Sequence, residues 1–138
     1  MTTLAKNYEP KGFEKVITEL WESEGTFRPN AFSDKPAFTI SMPPPNATGQ
    51  LHVGHAVMLV LEDIFIRWHR MMGHETLWLP GTDHAAIATE NVVLQQIKEQ
   101  EGILDTRNEL GRDEIFKRIA NYVKNSQGTI RSQVKAIG

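Results

Sequence analysis

An α/β fold with parallel strands and covering helices is what the sequence predicts, and three observations carry that prediction. Two short segments rich in β-branched and aromatic residues, Ala37 to Met42 and Thr76 to Leu79, are each closed by proline. Each is followed by a stretch whose apolar residues recur every three or four positions. Strand, helix, strand, helix is the order of a parallel sheet, because parallel neighbours need a crossover between them.

Taken in order, Pro10 and Lys11 open a first helix, with Phe13, Val16, Ile17, Leu20 and Trp21 on one stripe and Gly25 as its stop. Residues 26–35 read as loop. The first strand ends at three prolines, which have no N–H to give to a ladder. Residues 50 to 72 form the second helix. Ala56 to Leu61 is apolar all round, which predicts burial on every side. Leu61, Ile64, Phe65, Trp68 and Met72 continue its stripe, and Gly73 ends it. After the second strand and Pro80-Gly81, a third helix runs from Ala85 to about Gln100. A fourth runs from Gly111 to about Ile137, with Ile115, Phe116, Ile119, Val123, Ile130, Val134 and Ile137 on one face and a possible bend at Gly128. Residues 1–35 are thus an amino-terminal helix and lead-in, and residues 36–138 the βαβα part of a single domain.

The bulk figures bound the rest. A length of 138 residues with 40% apolar content is enough for one core. Residues 1–111 hold 9 Lys/Arg against 15 Asp/Glu, and residues 112–138 hold 6 against 2. The basic end reads as a solvated helix face more readily than as a nucleic-acid contact. With no cysteine, disulfides and thiolate zinc sites are excluded, which fits a reducing, cytoplasmic setting. No apolar leader opens the chain, and no apolar run approaches the ~20 residues a membrane helix needs. Two parallel strands are few for a sheet, and Lys135-Ala-Ile-Gly138 follows helical periodicity without a stop signal. The expectation is a piece of something longer.

Two loops hold the chemistry. Pro43 to His55 joins the first strand to the second helix, where α/β sheets bind ligands. The helix start offers free N–H groups and a positive dipole end suited to phosphate. Gly49 and Gly54 let backbone approach a ligand, and His52 and His55, three apart, share a helix face. Two imidazoles there can donate to phosphate oxygens that gain charge. Gly49 and Gly54 also have Walker spacing, but His55 and Ala56 replace the lysine and hydroxyl of a P-loop. A zinc site of His52, His55 and His84 lacks an obvious fourth ligand. The second loop, Gly81 to Glu90, follows the second strand. Thr82 or Asp83 can cap the third helix there, or Asp83 can face an ammonium group.

With both loops in view the residues resemble a known family. Pro45-Asn-Ala-Thr-Gly-Gln-Leu-His-Val-Gly-His55 looks like the HIGH signature of class I aminoacyl-tRNA synthetases, with Val53 in the isoleucine position. The preceding prolines narrow the resemblance to the valine, leucine and isoleucine branch. The string Pro80-Gly-Thr-Asp-His-Ala85 is similar to the valine-specific members. Tyr8-Glu-Pro10, Leu20-Trp21, Trp78-Leu-Pro80 and Leu110-Gly-Arg112 extend the likeness, while Ala86 and Glu90 depart from it.

The resemblance implies the first half of a Rossmann-like nucleotide-binding fold. It implies ATP-dependent activation of valine and ligation to tRNA(Val), with Mg2+ accompanying ATP as substrate and no protein-bound metal. By the same carry-over His52 and His55 are catalytic, and Asn46, Thr48, Gly49, His52, Gly54 and His55 bind ATP. Pro43, Pro44, Asn46 and Asp83 bind valine. The lysine-rich KMSKS loop of the family does not occur; Lys124-Asn-Ser-Gln-Gly128 only echoes it, inside a helical pattern. Editing and anticodon-binding regions are expected elsewhere in a monomeric full-length enzyme, and the isolated chain is expected to self-associate. The alternatives are a non-catalytic ATP- or partner-binding piece, or a reduced synthetase completed by a second chain.

Overall fold

Pro10 sets the backbone for a short 3-10 turn at Pro10–Gly12, and helix α1 follows at Glu14–Ser23. Gly25, at φ 66°, ends it. The computed structural model describes residues 6–137. Residues 1–5 and 138, which carry part of the expectations of a leaderless start and an abrupt finish, lie outside the described residues.

Strands β1 (Ala37–Ser41) and β2 (Glu75–Leu79) pair in parallel, from Ala37 opposite Glu75 to Ser41 opposite Leu79. Helix α2 (Val53–Met71) makes the crossover between them, as the order of elements requires. Gly73, at φ 85°, turns the chain back into β2. The lead-in is pinned to the strand: the Asn30 N–H donates to Glu75 Oε1 at 2.7 Å, and this bond holds the Glu75 carboxyl below its ordinary pKa. Phe38 of β1 stacks on His69 of α2, and the loss of water there, with His74 beside it, lowers the His69 pKa.

Helices α3 (Ala86–Glu101) and α4 (Thr106–Ile137) complete the fold and pack on each other. The buried apolar residues are Met42, Ala47, Leu59, Ile66, Val93, Ile97, Ile115, Val123 and Ile130. They run from the strand ends through α2 to the α3–α4 pair. The basic end is a solvated helix face in part: Arg118 pairs with Glu101 and Glu114, and Lys135 Nζ lies 2.7 Å from Glu22. Among the described residues no helix is long and apolar enough to cross a membrane.

Three expectations are corrected. Helix α4 is interrupted at Gly111, where φ 73° and ψ 165° are not helical, and not at Gly128. Left-handed φ is a backbone demand that glycine meets freely, whereas Gly128 keeps helical geometry. Helix α2 begins three residues later than expected, at Val53. Nor is its middle buried on every side. Leu59 and Ile66, two turns apart, face the sheet, while Val57 and Val60 are exposed. A two-stranded sheet covers only one face of α2.

The stripe that periodicity picks out is therefore the uncovered one: Leu61, Ile64, Phe65, Trp68 and Met72 are all about half exposed. The apolar stripe of α1 is likewise open, with Val16 at 65% and Leu20 at 51%. Exposed apolar faces on two helices and an unpaired strand edge favour association. The isolated 138-residue chain should sediment as oligomers at micromolar concentration; a sharp monomer with cooperative unfolding would contradict this.

Candidate active site

The strand ladder does not stop where the prolines begin. Met42 donates its N–H to Leu79 C=O at 3.0 Å, and the two chains meet again four residues on. There Asn46 and Asp83 form a parallel bridge, with Ala47 N–H to Asp83 C=O at 2.8 Å and Asp83 N–H to Pro45 C=O at 2.9 Å. Ala47 is fully buried beneath the bridge. Alongside it, Pro44 lies against Gly81, where an added Cβ would sit 3.7 Å from the Pro44 Cβ. Both predicted loops are thus held side by side at the carboxyl ends of β1 and β2.

His52 is not on the helix, as its spacing from His55 implied; it is the extended residue that caps α2. Its Nδ1 accepts the Gly54 N–H at 3.1 Å, and His55 Nδ1 accepts the His52 N–H at 3.2 Å. Each ring thus satisfies one orphan donor of the helix start. The rings lie with centroids 4.0 Å apart. Because both Nδ1 atoms act as acceptors, the neutral rings carry their protons on Nε2. The two Nε2–H groups are the donors this arrangement leaves for a ligand.

Gly54 is needed for that geometry. A Cβ there would stand 2.9 Å from His52 Cε1 and 3.1 Å from its Nδ1. Gly49 is different, since a Cβ there would meet nothing within 4 Å. Thr48 next to it offers its C=O to the Tyr122 hydroxyl at 2.7 Å.

In the second loop Asp83 does not cap α3. The cap is Ala85, in the left-handed region at φ 50°, with no side-chain bond. Asp83 Oδ1 instead accepts the Ala85 N–H at 3.0 Å, which shapes the turn. Its carboxylate is exposed, and no lysine or arginine among the described residues pairs with it. Thr82 Oγ1 accepts from Gln127 Nε2 at 3.0 Å and is not a cap either. The buried Thr89 hydroxyl donates to His84 C=O at 2.7 Å, tying the loop to the first turn of α3. Glu90 pairs with Arg107 at 2.9 Å. Among the described residues no cluster of three or more His, Cys, Asp or Glu is placed to hold a metal, so the zinc alternative has no structural support.

Pro43, Pro44, Asn46, Thr48, Gly49, His52, Gly54, His55 and Asp83 therefore sit in two adjoining loops at one end of the sheet. Tyr122, Gln127 and Gln133 of α4 also reach these loops, and sequence reasoning missed them. The only trace in the sequence was polar residues flanking an apolar helical stripe, a pattern any solvated helix shares.

Comparison with known proteins agrees with this geometry. Residues 16–138 match the family model for class I tRNA synthetases (I, L, M and V), and the chain belongs to that family. At a finer level it is similar to valine–tRNA ligases. It is 50% identical to that of Geobacter sulfurreducens over 135 residues, covering 98% of this chain and 15% of the relative. It is 45% identical to that of Chromobacterium violaceum over 138 residues, covering all of this chain and 14% of the relative. It is also 50% identical over 125 residues to a chloroplastic/mitochondrial valine–tRNA ligase of Arabidopsis thaliana, covering 91% of this chain and 12% of the relative. The chain spans about one seventh of the length of these curated relatives.

Gly54→Ala tests the cap. Alanine is the better helix former by ~1 kcal/mol, so propensity alone predicts stabilisation. The contact with His52 predicts a displaced ring instead. In ring-nitrogen NMR the variant should lose the uniform Nε2–H signature of His52 without gaining stability; an unchanged ring with a raised melting temperature would contradict the role assigned to Gly54.

Proposed function

We propose that residues 1–138 supply the HIGH-motif half of a catalytic site that activates valine with ATP and passes it to tRNA(Val). The observation that carries this reading is the Asn46–Asp83 bridge, which puts the phosphate-directed and ammonium-directed loops beside each other. In the first step a valine carboxylate oxygen attacks the α-phosphorus of Mg-ATP, the bond to the β-phosphate oxygen breaks, and pyrophosphate leaves. The acyl group then moves from the adenylate to the terminal ribose of the tRNA, releasing AMP.

His52 and His55 are the catalytic groups of this reading. Their Nε2–H groups donate to phosphate oxygens as charge builds, and the dipole of α2 adds to them. Asn46, Thr48, Gly49 and Gly54 line the nucleotide pocket around them. The unpaired Asp83 carboxylate takes the valine ammonium, and Pro43 and Pro44 border its short apolar side chain. The rest of the nucleotide fold, the pyrophosphate-binding loop and the tRNA-binding surfaces lie outside these residues. Their covering is what the open stripes of α1 and α2 await. The cysteine-free sequence fits a cytoplasmic enzyme.

The reading is tested by ATP–pyrophosphate exchange with each aliphatic amino acid, using the full-length polypeptide that carries this segment. Valine should support exchange best. His55→Ala should slow adenylate formation ~100-fold with little change in valine KM, as expected for a lost transition-state donor worth ~3 kcal/mol. An unchanged single-turnover rate would remove His55 from the chemistry. Asp83→Asn keeps an acceptor for the Ala85 N–H, so the fold should hold while valine KM rises steeply. Full activity with lowered stability would instead make Asp83 a turn residue only.

A further inference from the structure

Leu51 immediately precedes the cap of α2, outside both the helix and the strand. Its backbone is nevertheless paired. The Leu51 N–H donates to Gln133 Oε1 at 2.9 Å, and Gln133 Nε2 donates back to Leu51 C=O at 3.5 Å. One side-chain amide thus does for this residue what a neighbouring strand would do. Three residues earlier, Tyr122 holds Thr48 C=O. Tyr122 and Gln133 are eleven residues, or three turns, apart on α4, which leaves them about 20° apart around the helix. They form one edge of its buried Val123–Ser126–Ile130 stripe. Gln127, on the other edge, holds Thr82. The part of α4 beyond Gly111 therefore grips the histidine loop from one edge of a buried stripe and the aspartate loop from the other.

We propose that Gln133 and Tyr122 are positioning residues for the adenylation step. They act through the backbone of Thr48 and Leu51 to fix where the His52 and His55 rings stand relative to Asp83. This rests on the function proposed above. A displaced donor still binds substrate but meets the transition state badly, so the effect belongs in kcat and not in KM.

Gln133→Leu and Tyr122→Phe in the full-length polypeptide should each lower kcat for valine-dependent exchange on the order of tenfold, with valine KM nearly unchanged. Gln133→Glu keeps the acceptor for the Leu51 N–H but loses the donor to Leu51 C=O, so it should recover part of the rate. The His52 and His55 ring-nitrogen signals of the same full-length polypeptide form a second readout, independent of activity. They should shift in Gln133→Leu and move back toward the wild-type positions in Gln133→Glu. Unchanged kcat with a lowered melting temperature, or unmoved ring signals, would overturn the proposal. Should the wild-type polypeptide fail to activate valine, the assignment of the site falls, and the ring signals alone decide whether Gln133 positions the histidines.

Discussion

Two backbone hydrogen bonds beyond the end of the sheet decide what this segment can do. Proline at 43, 44 and 45 ends the regular β1 ladder, because proline has no N–H to offer. Yet Pro45 keeps its carbonyl, and Ala47 its N–H. The chain uses them to reach Asp83 across the crevice. Had the strands simply diverged after their prolines, the histidines and the aspartate would belong to unconnected loops. The bridge ties the two loops together, and Ala47, which makes one of its bonds, is fully buried.

The histidines show how one set of contacts serves structure and chemistry together. A helix start must satisfy its free N–H groups, and Ser, Thr, Asp or Asn usually does this. Here two imidazoles do it, and the choice has a chemical result. Each ring spends its Nδ1 on the backbone, so the proton is left on Nε2. Gly54 is the residue that allows His52 to fold over the helix start. On the other side of the bridge, Asp83 spends one oxygen on its own turn. An exposed carboxylate without a cation beside it retains capacity for an ammonium group.

The sequence was readable where local chemistry decides. Prolines marked the strand ends, Gly25 and Gly73 marked chain reversals, and the βαβα order required parallel pairing. The same local logic misjudged α2. Apolar periodicity says that a face is to be covered, not what covers it, and of the apolar residues of α2 only Leu59 and Ile66 are buried here. Gly111 and Gly128 look alike in sequence, and only the left-handed φ at Gly111 tells them apart. Most of the candidate site was legible because its residues are local to two loops. The grip of α4 was not, since Leu51 and Gln133 lie 82 positions apart and nothing in either residue's surroundings announces the other.

If the two loops form one rigid site, hydrogen exchange on the amides of Ala47 and Asp83 will show it. These N–H groups make the bridge, while both loops lie outside the regular strands. They should be protected together, to the level of the β1 and β2 amides, and open as one unit with them. Exchange at either position as fast as in the exposed residues of the lead-in loop would contradict it, because the histidines and the aspartate would then move independently.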